Sequence, residues 1–334
     1  MVHYKFSDPV TAWSELIKKF LNQEEELFTD GQGAVITGSV YSYGVGVLIE
    51  KAQFDPEFDF GLIMGYTQSK WSSLLNNYLD LDAMDVLKTQ IRELEKNKAQ
   101  NRNYHIGFNF ADSHGNGKGC LVSGVFSRMI GIDNPRLTIV MRASDIVTRL
   151  PWDLLLAVRL GAYVYGHEDF SIELFLRSAF ADDITVMLYN GYEDIEPLIA
   201  NIENEDRRKK LKKTLKKVKK AAEQGTDPGY QAYTRVYKIF NPEAFNIEPK
   251  SLKAKDCIIG DWDGIPMPKG GCPSIITRNA IKKAYLKFTE KYNLDLFGQE
   301  ASGRKLIKFK ENDGSIGDTN FDDNEESEDF GGEE

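Results

Sequence analysis

The stretch 137–153, LTIVMRASDIVTRLPWD, places charged side chains where an apolar strand is predicted to end. Arg142 follows the apolar run, and Ser144 and Asp145 come shortly after it. An arginine at a strand end can hold an anion, while the aspartate orders the turn by accepting hydrogen bonds from backbone N–H groups. We therefore expect a buried Arg142 that either binds an anionic ligand or forms a salt bridge with a carboxylate at the edge of the core.

The composition is that of a globular protein. Its 334 residues are 41% hydrophobic and 11% aromatic, which is enough for a sizeable core in one large domain or two modest ones. The three cysteines form no C-x-x-C pair and the four histidines show no ligand spacing, so neither a disulfide framework nor a metal site is predicted. The sequence shows no signal peptide and no apolar run near the roughly 20 residues that span a bilayer. We therefore expect a cytoplasmic protein.

Charge is distributed unevenly along the chain. Residues 207–220, RRKKLKKTLKKVKK, hold ten lysines or arginines and no acid, whereas residues 311–334 hold eleven acids and no base. The formal net charge is −9, so the body of the chain is acidic as well, and general duplex-DNA binding is not expected. The basic segment is a solvated face, a contact for nucleic acid or another anionic partner, or an intramolecular partner of the acidic end.

Hydrophobic periodicity predicts helices and strands without a regular βαβ alternation, which indicates an α+β fold. Helices are predicted over 8–30, 79–96, 154–164, 207–222 and 277–291, and strands over 105–111, 119–126, 137–142 and 184–189, with one or two more within 31–49. These elements suggest a domain over 1–245, a C-terminal extension over 246–310, and a disordered acidic tail over 311–334.

The segment MRASDIVTRLPWD resembles the thymidylate synthase superfamily, whose phosphate-binding arginine lies in a Q-R-S-x-D motif followed by L-P-x-N. Its Met-Arg-x-x-Asp is most similar to the deoxycytidylate hydroxymethylase branch. Cys120 precedes Arg142 on a predicted strand, as the nucleophile does in that family. The helix before NYHIGFNF and the segment ITVMLYNGYEDIEPLIANIE also follow the family order. The resemblance covers about residues 75–205 and implies a thymidylate synthase-like mixed sheet packed with helices.

The resemblance implies transfer of a one-carbon unit to carbon-5 of a pyrimidine nucleotide. Cys120 would add as a thiolate to carbon-6 of the base, which makes carbon-5 nucleophilic. Asp145 would order the loop over the base as the second catalytic residue. The implied substrate-binding residues are Arg142 for the 5′-phosphate, Tyr189 for the sugar, and Asp153, Ser144 and Arg102.

The resemblance also indicates which base and which one-carbon donor the protein would use. The synthases carry Asn at the position of Asp153, and a carboxylate there suits the amino group of cytosine, so the resemblance implies a cytosine substrate. The implied donor is 5,10-methylenetetrahydrofolate. Trp71 is a candidate to stack on the folate, and Glu50 is a candidate for the family's catalytic glutamate.

Several positions depart from the family pattern and leave alternatives open. Cys120 lies in Gly-Cys-Leu instead of Pro-Cys-His, Ala143 replaces a hydroxyl residue, and Met187 replaces a histidine. Most departures remove phosphate or folate contacts. The leading hypothesis is a deoxycytidylate 5-hydroxymethylase-like transferase. The alternatives are a catalytically inactive protein that binds nucleotide or single-stranded nucleic acid through its basic helix, and a uracil-specific methylase. The resemblance further implies a homodimer, and we expect a phage protein that acts in a bacterial cytoplasm.

Overall fold

The structure, a computed structural model, describes residues 2–21, 33–36, 39–55, 57, 60, 78–96, 103–110, 119–132, 134–182, 185, 205–224, 252–253, 275–276 and 286–292. These residues build a mixed sheet with helices packed against it, so the fold class is α+β, as predicted. Within them, no helix combines the length and the apolar character needed to cross a membrane.

The elements alternate irregularly along the chain, which is typical of α+β folds. The strands are β1 (Val2–Phe6), β2 (Gly33–Ile36), β3 (Ser39–Ile49), β4 (Tyr104–Asn109), β5 (Leu121–Arg128), β6 (Arg136–Asp145), β7 (Ser171–Ala181), β8 (Leu252–Lys253) and β9 (Ile275–Ile276). The helices are α1 (Pro9–Leu21), α2 (Leu81–Lys96), α3 (Leu150–Tyr165) and α4 (Glu205–Gln224).

Seven strands form the main sheet, in the order β1-β3-β7-β6-β5-β4, with β2 paired to β3. The pairs β1–β3 and β6–β7 are parallel, and the other neighbours are antiparallel. Burial alternates along most of β6, where Leu137, Ile139 and Met141 face the core while Val140 and Arg142 face outward. This alternation follows the two-residue period of a strand. The apolar residues of β6 therefore lie on the face of the sheet that packs against the helices.

Helix α1 begins where Asp8 caps it and buries the stripe that its periodicity predicts. The Asp8 carboxylate accepts hydrogen bonds from the backbone N–H groups of Val10 and Thr11, at 3.0 and 2.9 Å, which satisfies donors that a helix start leaves open. The predicted apolar positions Trp13, Leu16, Ile17 and Phe20 are all fully buried. The predicted helix over 8–30 is therefore confirmed as far as Leu21, and residues 22–30 lie outside the described part.

Helix α3 begins at Leu150, four residues earlier than predicted. Pro151 lies in its first turn, where a proline is tolerated because the backbone N–H it lacks would have no helical partner. The earlier start places Asp153 inside the first turn instead of before the helix. The helix ends at Gly166, whose φ of 79° is in the left-handed region that glycine adopts readily.

Two strands of the sheet are not predicted from the sequence, namely β1 and β7. Strand β7 lies between β3 and β6 and buries Ile172, Leu174 and Leu176. The strand predicted over 184–189 lies outside the described residues apart from Thr185, which is helical. A strand at the centre of the sheet was therefore not predicted from the sequence.

Residues 286–292, which belong to the proposed C-terminal extension, pack into the core of the first domain. Phe288 is fully buried, and its ring centroid lies 6.3 Å from that of Trp13. The Lys18 ammonium donates to the Tyr292 carbonyl oxygen at 2.9 Å. This part of the extension is therefore integral to the core around α1, while the domain boundaries themselves stay predictions.

Candidate active site

Cys120 and Arg142 lie side by side where β5 begins and β6 approaches its end. The Arg142 backbone N–H donates to the Cys120 carbonyl oxygen at 2.7 Å, and the adjoining residues Leu121 and Met141 are paired in the sheet. The register shifts between Leu121 and Ser123, and such a bulge bends a strand locally. Cys120 is a half-buried thiol outside any disulfide. The sequence analysis predicted Cys120 on a strand, whereas it lies just before β5.

The side chain of Arg142 is exposed, which corrects the expectation of a buried arginine. Its neighbour Met141 faces the core, and the alternation of a strand turns Arg142 to the opposite face. The backbones of Arg142 and Cys120 are therefore adjacent, but the side chain of Arg142 lies outside the core. Its assignment to a phosphate group stays a prediction.

Asp145 ends β6 and orders the turn that leads into α3. Its Oδ1 accepts hydrogen bonds from the backbone N–H groups of Val147 at 2.8 Å and Thr148 at 3.0 Å. The carboxyl is buried, and burial raises its pKa, although these backbone hydrogen bonds act in the opposite direction. The turn is thereby fixed relative to the strand, and its fixed geometry sets the position of the first turn of α3.

Ser144 and Asp153, two residues named from the sequence, are in direct contact. The Ser144 hydroxyl donates to Asp153 Oδ2 at 2.8 Å, and both side chains are buried. Burial raises the pKa of Asp153 to about 7, against the Ser144 hydrogen bond and the Arg149 charge, which lower it. Near neutral pH, Asp153 therefore exists as both carboxylic acid and carboxylate, with one oxygen held by Ser144.

Tyr78 is a site residue that the sequence analysis missed. Burial is the largest cause that raises the pKa of its phenol, and the negative charges of Cys120 and Asp153 raise it further. A hydrogen bond with the backbone of Cys120 and the charge of Arg149 lower that pKa. The phenol is therefore close enough to interact electrostatically with Cys120, the candidate nucleophile, and with Asp153, the candidate residue for recognising the base. No motif or periodicity distinguishes this tyrosine in the sequence.

Arg149 is the cation whose charge acts on this site. It is the N-cap residue of α3, and its backbone N–H donates to the Asp145 carbonyl oxygen at 3.0 Å. It opposes the burial that raises the pKa of Asp153 and of Tyr78. Arg149 lies four residues before Asp153, which is one helical turn, and that spacing was a signal available in the sequence.

Four further residues were named from the sequence for this site or its cofactor. Arg102, Trp71 and Tyr189 lie outside the described residues. Glu50 is exposed and forms an ion pair with Lys5 at 2.7 Å.

Glu50 follows β3 at the far end of the sheet. Its neighbour Ile49 pairs with Ile172, which in turn pairs with Leu137 at the start of β6. Arg142 lies five residues further along β6, at roughly 3.3 Å per residue. Glu50 is therefore far from Cys120, and the structure does not support it as the catalytic glutamate.

The basic segment forms helix α4, as predicted, and one edge of it is buried. Leu211 and Thr214 are 5% and 6% exposed. The lysines at 209, 210, 212, 213 and 216 are exposed. The helix is therefore anchored through a narrow edge and presents cations over the rest of its described surface.

A cavity of about 740 Å³ lies elsewhere, at the start of α1. Charged residues line it, among them Lys18, Asp55 and Lys291, and these side chains are already paired. Lys18 contacts Glu15 at 2.7 Å, and Lys291 contacts Asp55. Of the predicted site residues that the structure describes, none lines this cavity, and we assign it no role in the chemistry.

Comparison with known proteins shows a structural likeness but no match in sequence. No protein-family model matches the chain, and no curated protein matches its sequence. Among solved structures, the chain is similar to thermostable thymidylate synthase A from Bacillus subtilis, at 10% identity and a TM-score of 0.30. The match covers 60% of this chain and 85% of that chain. At this identity and TM-score, the likeness does not establish a shared fold or function.

Proposed function

We propose that the protein transfers a one-carbon unit to carbon-5 of a cytosine nucleotide, as a divergent member of the thymidylate synthase superfamily. The observation that carries this proposal is the cluster of Cys120, Tyr78, Ser144 and Asp153. It combines a half-buried thiol with a buried carboxyl whose pKa of about 7 leaves both protonation states accessible at neutral pH. This chemistry requires a nucleophile and a polar side chain that recognises the edge of the base.

Cys120 is the proposed nucleophile. Its thiolate forms a C–S bond to carbon-6, and the electron pair of the 5,6 double bond moves to carbon-5, which then attacks an electrophilic one-carbon unit. Carbon-5 would then lose its hydrogen as a proton while the bond between the one-carbon unit and its donor breaks, and water would add to that unit to give a hydroxymethyl group. Breaking of the C–S bond restores the double bond and the thiolate. In the absence of a donor, carbon-5 takes a proton from water, so the original hydrogen exchanges with solvent.

Asp153 is the proposed base reader, held in place by Ser144. Cytosine presents an amino donor where uracil presents a carbonyl acceptor. A carboxylate only accepts hydrogen bonds, so ionised Asp153 favours cytosine, whereas the neutral acid can also donate to the uracil oxygen. Arg142 is the proposed phosphate ligand, and Asp145 keeps the turn between them in place.

The donor and the assembly follow from the resemblance alone. The donor would be 5,10-methylenetetrahydrofolate, which supplies the electrophilic one-carbon unit, and its candidate partner Trp71 lies outside the described residues. We likewise propose Tyr189 and Arg102 as substrate ligands and a homodimer as the assembly.

Comparison of deoxycytidylate and deoxyuridylate affinities tests the choice of base. We expect the wild type to prefer deoxycytidylate at pH 8 by about tenfold or more, since a hydrogen bond to a charged group contributes about 1.5–3 kcal/mol. Asp153→Asn is expected to abolish that preference. A preference for deoxyuridylate in the wild type would favour the uracil-specific alternative.

The exposed lysines of α4 favour a second candidate, a catalytically inactive protein that binds single-stranded nucleic acid. Five exposed cations on one helix can contact phosphates, but phosphate contacts alone carry no sequence readout. This candidate predicts a salt-sensitive gel shift with a single-stranded oligonucleotide that disappears when the lysines within 207–220 are neutralised. No shift at low salt, with the acids of 322–329 changed to their amides so that they do not compete for these lysines, would exclude this role for the helix.

A further inference from the structure

Helix α4 carries an unusual concentration of positive charge on its solvent side. The lysines at 209, 210, 212, 213 and 216 are exposed, whereas the buried edge consists of Leu211 and Thr214. Lys209 on this face contacts Glu205 at 2.8 Å. Both members of that pair are about two-thirds exposed, and such surface ion pairs neutralise little of the field around them.

The spacing of these lysines makes them repel one another. Lys209 and Lys213, and likewise Lys212 and Lys216, are four residues apart and therefore lie on the same side of the helix. Like charges at this spacing destabilise a helix. A polyanion laid along the helix would relieve this repulsion and add favourable contacts.

The chain contains a polyanion of matching charge in its own C-terminal segment, residues 311–334. This segment holds eleven acids and no base, against ten lysines or arginines and no acid in residues 207–220. The acids are densest in 322–329, DDNEESED, where six of eight residues are acidic. Because both segments belong to one chain, their encounter is intramolecular and profits from a high effective concentration.

We propose that the acidic segment 311–334 docks on the exposed lysine face of α4. The contact is electrostatic, requires no single defined pairing, and weakens as salt screens it. An external polyanion therefore binds the lysine face only by displacing the chain's own acidic segment. This inference is independent of the chemistry proposed for Cys120.

Zero-length cross-linking of the full chain tests the contact directly, because a carbodiimide joins a lysine to a carboxylate only when the two touch. At low salt we expect cross-links within one chain between α4 lysines and acids of 311–334, and we expect at least a tenfold loss of them in 1 M salt. Lys209→Gln, Lys213→Gln and Lys216→Gln together should deplete them. The matched control neutralises three exposed lysines elsewhere, Lys51→Gln, Lys96→Gln and Lys287→Gln, and should leave them unchanged.

A second measurement distinguishes the acidic segment from nucleic acid as the occupant. A single-stranded oligonucleotide serves as the probe, and the six acids of 322–329 are changed to their amides in the full chain. We expect the oligonucleotide to bind this variant at least tenfold more tightly than the wild type, because its competitor is removed. Equal affinity for both proteins, cross-links confined to residues outside α4, or cross-links formed only between different chains would each overturn the proposal.

Discussion

At the scale of single residues, the protonation of Asp153 is the property with the clearest chemical consequence. Its side chain is buried, its Oδ2 accepts the Ser144 hydroxyl, and burial raises its pKa to about 7. Below that pH the neutral acid dominates and can both donate and accept, whereas above it the carboxylate only accepts. The discrimination between an amino group and a carbonyl oxygen on a base should therefore depend on pH.

We predict that the preference for deoxycytidylate over deoxyuridylate increases as pH rises from 6 to 8. Ionisation of Asp153 over this interval removes its ability to donate to the uracil oxygen. Calorimetric titration with each nucleotide at the two pH values measures the ratio of affinities. A ratio that does not change with pH in the wild type would contradict the assignment of Asp153 as base reader.

Ser144→Ala provides a test of the hydrogen bond itself. The bond lowers the pKa of Asp153, so its loss should raise that pKa further and move the midpoint of the pH-dependent preference to higher pH. The same titrations, extended to pH 9, measure that midpoint, and Asp153→Asn should show no midpoint at all. A midpoint that moves to lower pH would contradict the geometry.

The residues of this site differ in how readily the sequence reveals them. Asp145 was named because it follows an apolar strand and an arginine, whereas Cys120, Ser144 and Asp153 were named from the family resemblance of the segment around Arg142. Tyr78 was not named, because it precedes Cys120 by 42 residues and only tertiary packing brings the two together. The outward direction of Arg142 depends on the register of β6, which one residue of shift would reverse.

At the scale of elements, close pairing of β4 and β5 depends on a residue without a side chain. A Cβ added at Gly124 would lie 2.3 Å from the nearest ring atom of Phe108 on the neighbouring strand. The Phe108 ring in turn stacks with Phe126, with ring centroids 5.1 Å apart. The ring therefore occupies the space that any side chain at Gly124 would need.

Gly124→Ala should destabilise the protein by about 1–3 kcal/mol, the usual cost of forcing extra atoms into a packed site. Gly107→Ala is the matched control, because it lies on the paired strand and its nearest contact would be 3.8 Å away. Urea denaturation of both variants measures the difference in the free energy of unfolding. Equal stability of the two variants would show that Phe108 moves aside at no cost.

Local patterns anticipated most of the helices but only part of the sheet. Helices α1 and α2 carry apolar residues at helical spacing on one side, and α4 is likewise found where its pattern predicts it. Burial alternates along β7 over 172–176 and again over 179–181, but the phase of the alternation changes at Arg177 and Ser178, which are exposed and half-buried. Its central place in the sheet is decided by pairing with β3 and β6, which a single sequence does not display.

At the scale of the whole molecule, the C-terminal region contributes to the core that α1 builds. Phe288 is fully buried, and its ring centroid lies 5.0 Å from that of Tyr292. The neighbouring Lys287 is exposed and contacts Glu57 at 3.8 Å. The chain therefore returns to its N-terminal helix after more than 260 residues to complete the packing around Trp13.

Phe288→Ala should lower the free energy of unfolding by about 3–5 kcal/mol, because it removes a large buried ring and leaves a cavity. Lys287→Ala, at the adjacent exposed position, should change stability by less than about 0.5 kcal/mol. Urea denaturation monitored by tryptophan fluorescence measures both. A small effect for Phe288→Ala would mean that residues 286–292 contribute little to the core.

The central claim is that Cys120 adds to carbon-6 of a cytosine nucleotide and thereby activates carbon-5. Release of tritium to water from deoxycytidylate labelled at carbon-5 measures that activation, with and without 5,10-methylenetetrahydrofolate. We predict release by the wild type and none above background by Cys120→Ala, with deoxycytidylate binding retained in the variant. No release by the wild type under either condition, or equal release by both proteins, would contradict the claim.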